Sequence, residues 1–175
     1  MKPSQDLAAY RAAEALRDGR PATIRALQPQ DREALIAAWE RTGDSSRYRR
    51  FFTSKRALSE GEIKFFVEVD FTTHVSLVAE LQDGGRQIIA GAGRYVVCAP
   101  GSAEVAFMVD DAHQGLGIGS LLMRHLVVCA RSSGLEMLVA EVLPENSAMK
   151  KVFERAGLAV QTRLQSGVLH FDMRL

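Results

Sequence analysis

Cysteine is scarce, charge is balanced and long apolar runs are missing, and each shortage narrows what this chain can be. Cys98 and Cys129 are the only cysteines. They lie outside any CxxC pairing, so neither a disulfide framework nor a zinc site is supported and no metal is expected. A reducing, cytoplasmic compartment follows. No stretch approaches the roughly 18 consecutive apolar residues of a membrane span, and the opening Met1-Lys2-Pro3-Ser4-Gln5-Asp6 lacks the apolar core of a signal peptide. The 22 Lys and Arg nearly cancel the 21 Asp and Glu, for a formal net charge of +1. That balance leaves no global basic footprint for nucleic acid or a membrane surface. There is no internal repeat and no low-complexity tract. A composition of 47% hydrophobic, 25% charged and 7% aromatic residues over 175 positions excludes collagen-like, disulfide-scaffold and disordered classes. The length suits one domain, residues 1–175, able to bury roughly two-thirds of its unfolded surface.

What is present is an alternation of strand and helix signals. Residues 5–17 are rich in helix formers and stop at Asp18-Gly19, which predicts a leading helix within 1–18, peripheral because its apolar face is weak. Thr23 to Leu27 alternates as a half-buried strand, and Pro29-Gln30-Asp31 opens a helix carrying Leu35, Ile36 and Trp39. A second helix starts at Asp44 or Ser45 with Tyr48, Phe51 and Phe52, and Ser59-Glu60-Gly61-Glu62 caps a third with Ile63, Phe66 and Val67. The basic residues Arg47, Arg49, Arg50, Lys55 and Arg56 read as a solvated face of these helices. Two apolar runs, Val75 to Leu81 and Gln87 to Val97, flank Asp83-Gly84-Gly85 as a hairpin, and Ala103 to Val109 is a further strand. Leu121, Leu122, Leu126 and Val127 recur at helical spacing up to Gly134, followed by a strand from Met137 to Leu143. A helix over 147–155 and two closing strands, 158–164 and 168–174, complete a mixed α/β chain with early hairpins and a βαβ crossover in its second half.

Between strand and helix, Gln114-Gly115-Leu116-Gly117-Ile118-Gly119-Ser120 carries the chemistry. Its glycines are spaced two and two, not as GxGxxG, and the Gly-Lys-Ser/Thr of a Walker loop is absent, so dinucleotide and nucleotide-triphosphate folds are disfavoured. Small residues where a helix begins let backbone N–H groups and the positive helix end face an anion. That geometry suits a pyrophosphate.

Gln114 to Gly119 resembles the Q/R-x-x-G-x-G/A signature of the GNAT acyltransferase superfamily. Glu104-Val105-Ala106-Phe107-Met108-Val109 is similar to its fourth strand, and Asn146-Ser147-Ala148 through Phe153 to Leu158 to its second acetyl-CoA motif. Leu16-Arg17-Asp18-Gly19 with Thr23-Ile24-Arg25, and Ser46-Arg47-Tyr48-Arg49-Arg50-Phe51-Phe52, resemble the GNAT domain of bacterial Pat-type protein lysine acetyltransferases. This likeness spans about residues 15–175. It implies a splayed mixed sheet flanked by helices, a GNAT-like acyl-CoA N-acyltransferase fold. In the family the splay often falls at a bulge. It also implies acetyl-CoA as co-substrate, with main-chain atoms of Phe107, Met108 and Val109 on the pantetheine arm and Gln114, Gly115, Leu116, Gly117, Ile118, Gly119 and Ser120 around the pyrophosphate. Asn146 is a helix cap or a cofactor contact. Glu104 matches the family's general base, and its neighbours Ala103, Val105 and Ala106 suggest desolvation. His74 and His113 are the weaker alternatives.

Where many members carry tyrosine as general acid this chain has Phe153, so no acid is assigned and Phe153 packs on the thioester. The resemblance implies a protein lysine acceptor, an acyl-CoA synthetase being the first candidate, docking on Ser45 to Val69. The alternatives are a GNAT enzyme for a small amine, such as an antibiotic, polyamine or amino acid, and a noncatalytic acyl-CoA sensor. Within 175 residues there is no room for the synthetase-like or cyclic-nucleotide regions that some Pat-type proteins carry.

Overall fold

A computed structural model of the chain describes residues 6–175. Its sheet has eight strands, β1 Arg11–Ala15, β2 Pro21–Ala26, β3 His74–Asp83, β4 Arg86–Ala99, β5 Ser102–Val109, β6 Met137–Val142, β7 Ala159–Gln165 and β8 Val168–Arg174. The spatial order is β1-β2-β3-β4-β5-β6-β8-β7. Every neighbouring pair is antiparallel except β5 and β6, which run parallel. The parallel pair is joined by α4 (Ile118–Ser132), as the expected crossover requires. The remaining helices are α1 Arg32–Glu40, α2 Asp44–Phe51, α3 Glu60–Val67 and α5 Ser147–Glu154. Ser59 accepts from Glu62 N and Glu62 reaches back to Ser59 N, so the capping box read in the sequence starts α3.

The leading helix is not formed. A 3-10 turn at Leu7–Ala9 is followed by β1, paired with β2 from Arg11 opposite Arg25 to Ala15 opposite Pro21; residue 5, where that helix was to begin, lies outside the described residues. A surface helix with a weak apolar face gains little from packing, whereas the strand pairs its backbone and lets Leu7 and Leu16 join the core. The inward Glu14 is satisfied by His125 Nε2 at 2.8 Å and by Arg124, and His125 Nδ1 shares a 2.6 Å hydrogen bond with the Tyr10 hydroxyl.

The strands' period-two alternation sorts two faces. Ala103, Val105 and Phe107 join Tyr95, Leu77 and Ile24 in the main core beneath α4, whose Ile118, Leu122, Leu126 and Cys129 form its buried stripe. Gly93 belongs to this face, because a Cβ there would meet the Phe107 ring at 2.7 Å. A smaller cluster, Leu27, Ala38, Val78 and Ile89, lies under α1.

Between β2 and β3, Arg25 donates to Asp31 at 2.7 and 2.9 Å and to Glu80 at 2.7 and 2.9 Å, with little of any of the three side chains exposed. Asp31 also accepts from Gln28 N at 2.7 Å, fixing the entry to α1. Asp31→Ala therefore leaves one buried guanidinium half paired and should cost about 2–3 kcal/mol. Urea unfolding checks this: the midpoint falls at unchanged slope, and an unmoved midpoint would show that the cluster contributes nothing.

Candidate active site

The site is made where two strands part. β5 pairs with β6 only at Ser102–Met137, Ala103–Leu138 and Glu104–Val139. Beyond Glu104, β5 stays in register with β4 up to Val109 opposite Gly91, while β6 follows β8 up to Val142 opposite Leu169. The backbone of β5 beyond Glu104 thus has an edge without a strand partner, as in sites that accept an added extended ligand. The parting needs no bulge in β5, whose register with β4 is continuous from Ala103 to Val109. Between the arms lies a cleft of about 620 Å³, a size typical of ligand sites.

At the far end of β5 the glycine turn closes the cleft. Gly115 and Gly117 have φ of +78° and +90°, which side-chain-bearing residues adopt only with strain. Gly117 is the N-cap of α4 and no side chain caps that helix; the first helical bond runs from Leu121 N to Gly117 O. The N–H groups of Ile118, Gly119 and Ser120 consequently have no helical acceptor and face the cleft with the positive helix end behind them. Gly119 sits inside the first turn, where a Cβ would lie 3.5 Å from Val152 of α5. Gln114, Gly115, Gly117, Ile118, Gly119 and Ser120 all line the cleft, as do Phe107, Met108 and Val109. Leu116 does not: its side chain packs on the main core and its carbonyl accepts from Arg17 N at 3.0 Å.

Side chains outside the glycine turn hold it in shape. Gln114 Nε2 donates to Val109 O and to Ser46 Oγ, both at 3.1 Å, and Asp111 accepts from Gly43 N at 3.1 Å, tying α2 to the turn. His113 is buried, its Nδ1 2.6 Å from Asp110, and Asp110 in turn accepts from Arg41 at 2.9 Å. His113 braces the turn. His74 is buried against Phe65, ring centroids 4.8 Å apart, and lies outside the cleft wall; burial and the Arg94 charge push its pKa down against the opposing pull of Asp70. Of the two histidines only His113 borders the cleft.

Glu104 stands at the last paired position before the fork and lines the cleft. The expected desolvation is absent, because Ala103 and Val105 point into the α4 core while Glu104 is on the opposite, exposed side. Phe153 is almost wholly buried, its ring 6.0 Å from Phe107 and 5.3 Å from Phe171, and borders the cleft. Asn146 lines the cleft and caps α5, accepting from Met149 N at 3.2 Å. The capping role is formed, and the same residue borders the cleft.

The basic run is not one solvated face. Arg47 stacks 4.7 Å over Trp39 and donates to Trp39 O and Arg56 O at 2.8 and 3.1 Å, bracing the loop after α2. Lys55 pairs with Glu62 at 2.6 Å. Arg49 and Arg50 line the cleft, joined by Arg17, Lys151 and Arg155, against the carboxylates of Glu104 and Glu141. Arg49 and Arg50 fall in the Ser45 to Val69 segment read as the acceptor's docking surface, whereas the sequence reading does not place Arg17, Lys151 and Arg155 at the cleft. For Arg17 a signal existed: Leu16-Arg17-Asp18-Gly19 is the turn between β1 and β2, and it lays the Arg17 side chain against the glycine turn, 3.4 Å from Gly115 O. Among the described residues no group of three His, Cys, Asp or Glu side chains could hold a metal, and no helix is long and apolar enough to cross a membrane.

A parallel pair that splays, a glycine turn at the open end and a helix behind it together match known proteins. Residues 22–159 match the acetyltransferase (GNAT) domain family. The chain belongs to this GNAT family. An acetyltransferase of Pseudomonas aeruginosa is 31% identical over 138 residues, covering 78% of this chain and 74% of that protein. The acetyltransferase Pat of Mycolicibacterium smegmatis is 34% identical over 148 residues, 83% of this chain but 43% of Pat, so the chain spans less than half of that relative. Among solved structures, the GNAT domain of S. lividans PAT superposes with a TM-score of 0.85 at 36% identity, covering 94% of this chain and 97% of that domain. As a GNAT acetyltransferase the protein is an acetyl-CoA-dependent N-acetyltransferase.

Proposed function

We propose that this GNAT enzyme acetylates the lysine side chain of a protein acceptor by direct transfer, with Glu104 as general base, in the cytoplasm. The observation that carries the reading is the position of Glu104 at the apex of the fork, where the free edge of β5 begins. The residues fit acetyl-CoA. The unpaired edge at Phe107, Met108 and Val109 suits the amide-bearing pantetheine arm, and Gly115, Gly117 and Gly119 leave a cradle that side chains would fill. Unbonded N–H groups at the start of α4, with Arg17, Lys151 and Arg155 nearby, suit the phosphates.

Acetyl-CoA supplies the acetyl group as a thioester. The chain's own work is on the acceptor. A lysine ammonium with pKa near 10.4 is neutral in only about one molecule in a thousand at neutral pH. Glu104, solvent-accessible in the cleft, takes that proton directly or through a water and holds it on its carboxylate while the amine attacks. A thiol of pKa near 8.5 is a good leaving group, so the lack of a tyrosine at Phe153 leaves no step without a donor: solvent reaches the cleft. Phe107 and Phe153 keep the thioester end apolar.

The likeness to proteins named Pat and PAT supports a protein acceptor over a small amine. Mass spectrometry of an acyl-CoA synthetase incubated with the enzyme and acetyl-CoA, beside polyamines and aminoglycosides at equal concentration, tests this. Faster modification of synthetase lysine is expected. Faster turnover of any small amine would transfer the assignment to a small-molecule acetyltransferase, and acetyl-CoA binding without turnover to a sensor.

A further inference from the structure

Next to the cleft, on the face of the sheet under α1 to α3, lies a second cavity of about 60 Å³. Ala106, Phe107 and Met108 of β5, with Arg50 and Phe51 of α2, line both spaces, so the cavity adjoins the cleft along β5. Its wall is apolar, with Leu35, Trp39, Leu58 and Phe66 among its members, yet two guanidinium groups enter it, Arg50 from α2 and Arg94 from β4. Arg94 stands opposite Ala106 in the β4–β5 register, roofed by Phe66 at 4.2 Å and Phe65 at 5.0 Å, and Arg50 covers Phe51 at 4.8 Å. Burial pushes both pKa values down, Arg94 to about 9, with Arg50 adding to the effect on Arg94; Glu104 opposes it from a distance. Among the described residues no carboxylate lies within 4 Å of either, whereas Arg25, Arg32, Arg41 and Arg124 elsewhere all have one.

Two buried guanidinium groups with no carboxylate in contact keep unused donors, and their like charges disfavour each other. A carboxylate brought in by a substrate would satisfy both. We propose that Arg50 and Arg94 form a carboxylate-binding subsite at the inner end of the cleft, reading an acidic group carried by a substrate. The proposal rests on the acetyltransferase reading of the same cleft and extends it to specificity. Two sources offer that group: the end of a dicarboxylic acyl chain, whose methylenes suit the apolar wall, or an acidic residue next to the acceptor lysine. Guanidinium forks bind carboxylates with paired hydrogen bonds, so discrimination against an uncharged isostere is expected to be strong.

Calorimetry with nonhydrolysable thioether analogues compares succinyl-CoA with butyryl-CoA, and anisotropy with the CoA-loaded enzyme compares lysine peptides flanked by Glu with the same peptides flanked by Gln. In one of the two arms wild type should prefer the carboxylate by about tenfold, and Arg94→Met should reduce that preference to within about twofold. The arm that responds identifies the source. Arg94 lies outside the larger cleft, so acetyl-CoA affinity of Arg94→Met should match wild type; loss of acetyl-CoA binding by wild type itself would count against the acetyltransferase reading and not against the subsite. A wild-type enzyme with no carboxylate preference in either arm overturns the subsite. So does a preference that survives in both Arg50→Met and Arg94→Met.

Discussion

Replacing Glu104 by Gln is expected to lower the turnover number by about two to four powers of ten while acetyl-CoA affinity stays within about twofold of wild type. The asymmetry follows from position. Glu104 borders the cleft at the apex of the fork, whereas the main-chain edge and the glycine turn that suit the coenzyme lie further along β5 and beyond it. Glutamine keeps the size and a hydrogen-bond acceptor but cannot hold a proton, so the ammonium must lose its proton to bulk water. Raising the pH toward the lysine pKa increases the neutral amine and should restore part of the lost rate. Steady-state kinetics between neutral and alkaline pH measure both effects. A variant with wild-type turnover near neutral pH would remove Glu104 from the mechanism.

Gly119→Glu and Gly117→Val should each weaken acetyl-CoA binding by about a hundredfold or more while the fold persists. Different physics acts at the two positions. At Gly117 the backbone has φ of +90° and a Cβ would press to 3.2 Å on the Arg17 side chain, so a β-branched residue both strains the N-cap of α4 and displaces a cation. At Gly119 the backbone is ordinary helix and the nearest atom to a Cβ is Val152 at 3.5 Å. Gly119→Ala should therefore be mild, and the harm of glutamate lies in filling the cradle and repelling phosphate. Calorimetric titration, with circular dichroism to verify folding, reads this grading. Equal affinity of Gly119→Glu and wild type would end the pyrophosphate assignment.

Much of this molecule is legible in the sequence because its local rules agree with its tertiary contacts. The capping box at Ser59, the double-glycine turn at Gly84 and Gly85, and the apolar stripe of α4 all become the elements that they predict. Residues 11–15 fail because good helix formers are overruled by pairing with β2, a contact that no local pattern announces. The solvated reading of Arg47 and Arg50 fails for a related reason. Basic residues on a short helix look exposed until their guanidinium groups lie down on aromatic rings, Arg47 on Trp39 of α1 and Arg50 on its neighbour Phe51. Glu104 shows both sides: the strand alternation places it on the cleft face, but its alanine and valine neighbours say nothing of its solvation because they face the other way. Arg94 lies in β4, ahead of the glycine motif in the chain, and only the sheet register sets it opposite Ala106.

On the proposed reading, acetyl-CoA lies along the open arm of β5 with its pyrophosphate on the turn before α4. Amide NMR of the protein titrated with acetyl-CoA tests this most directly. The largest shifts are expected on Phe107, Met108, Val109 and Gly115 to Ser120, with the edge strands β1 and β7 unmoved outside the Arg17 turn. Saturable shifts elsewhere that leave Gly115 to Ser120 unchanged would contradict it.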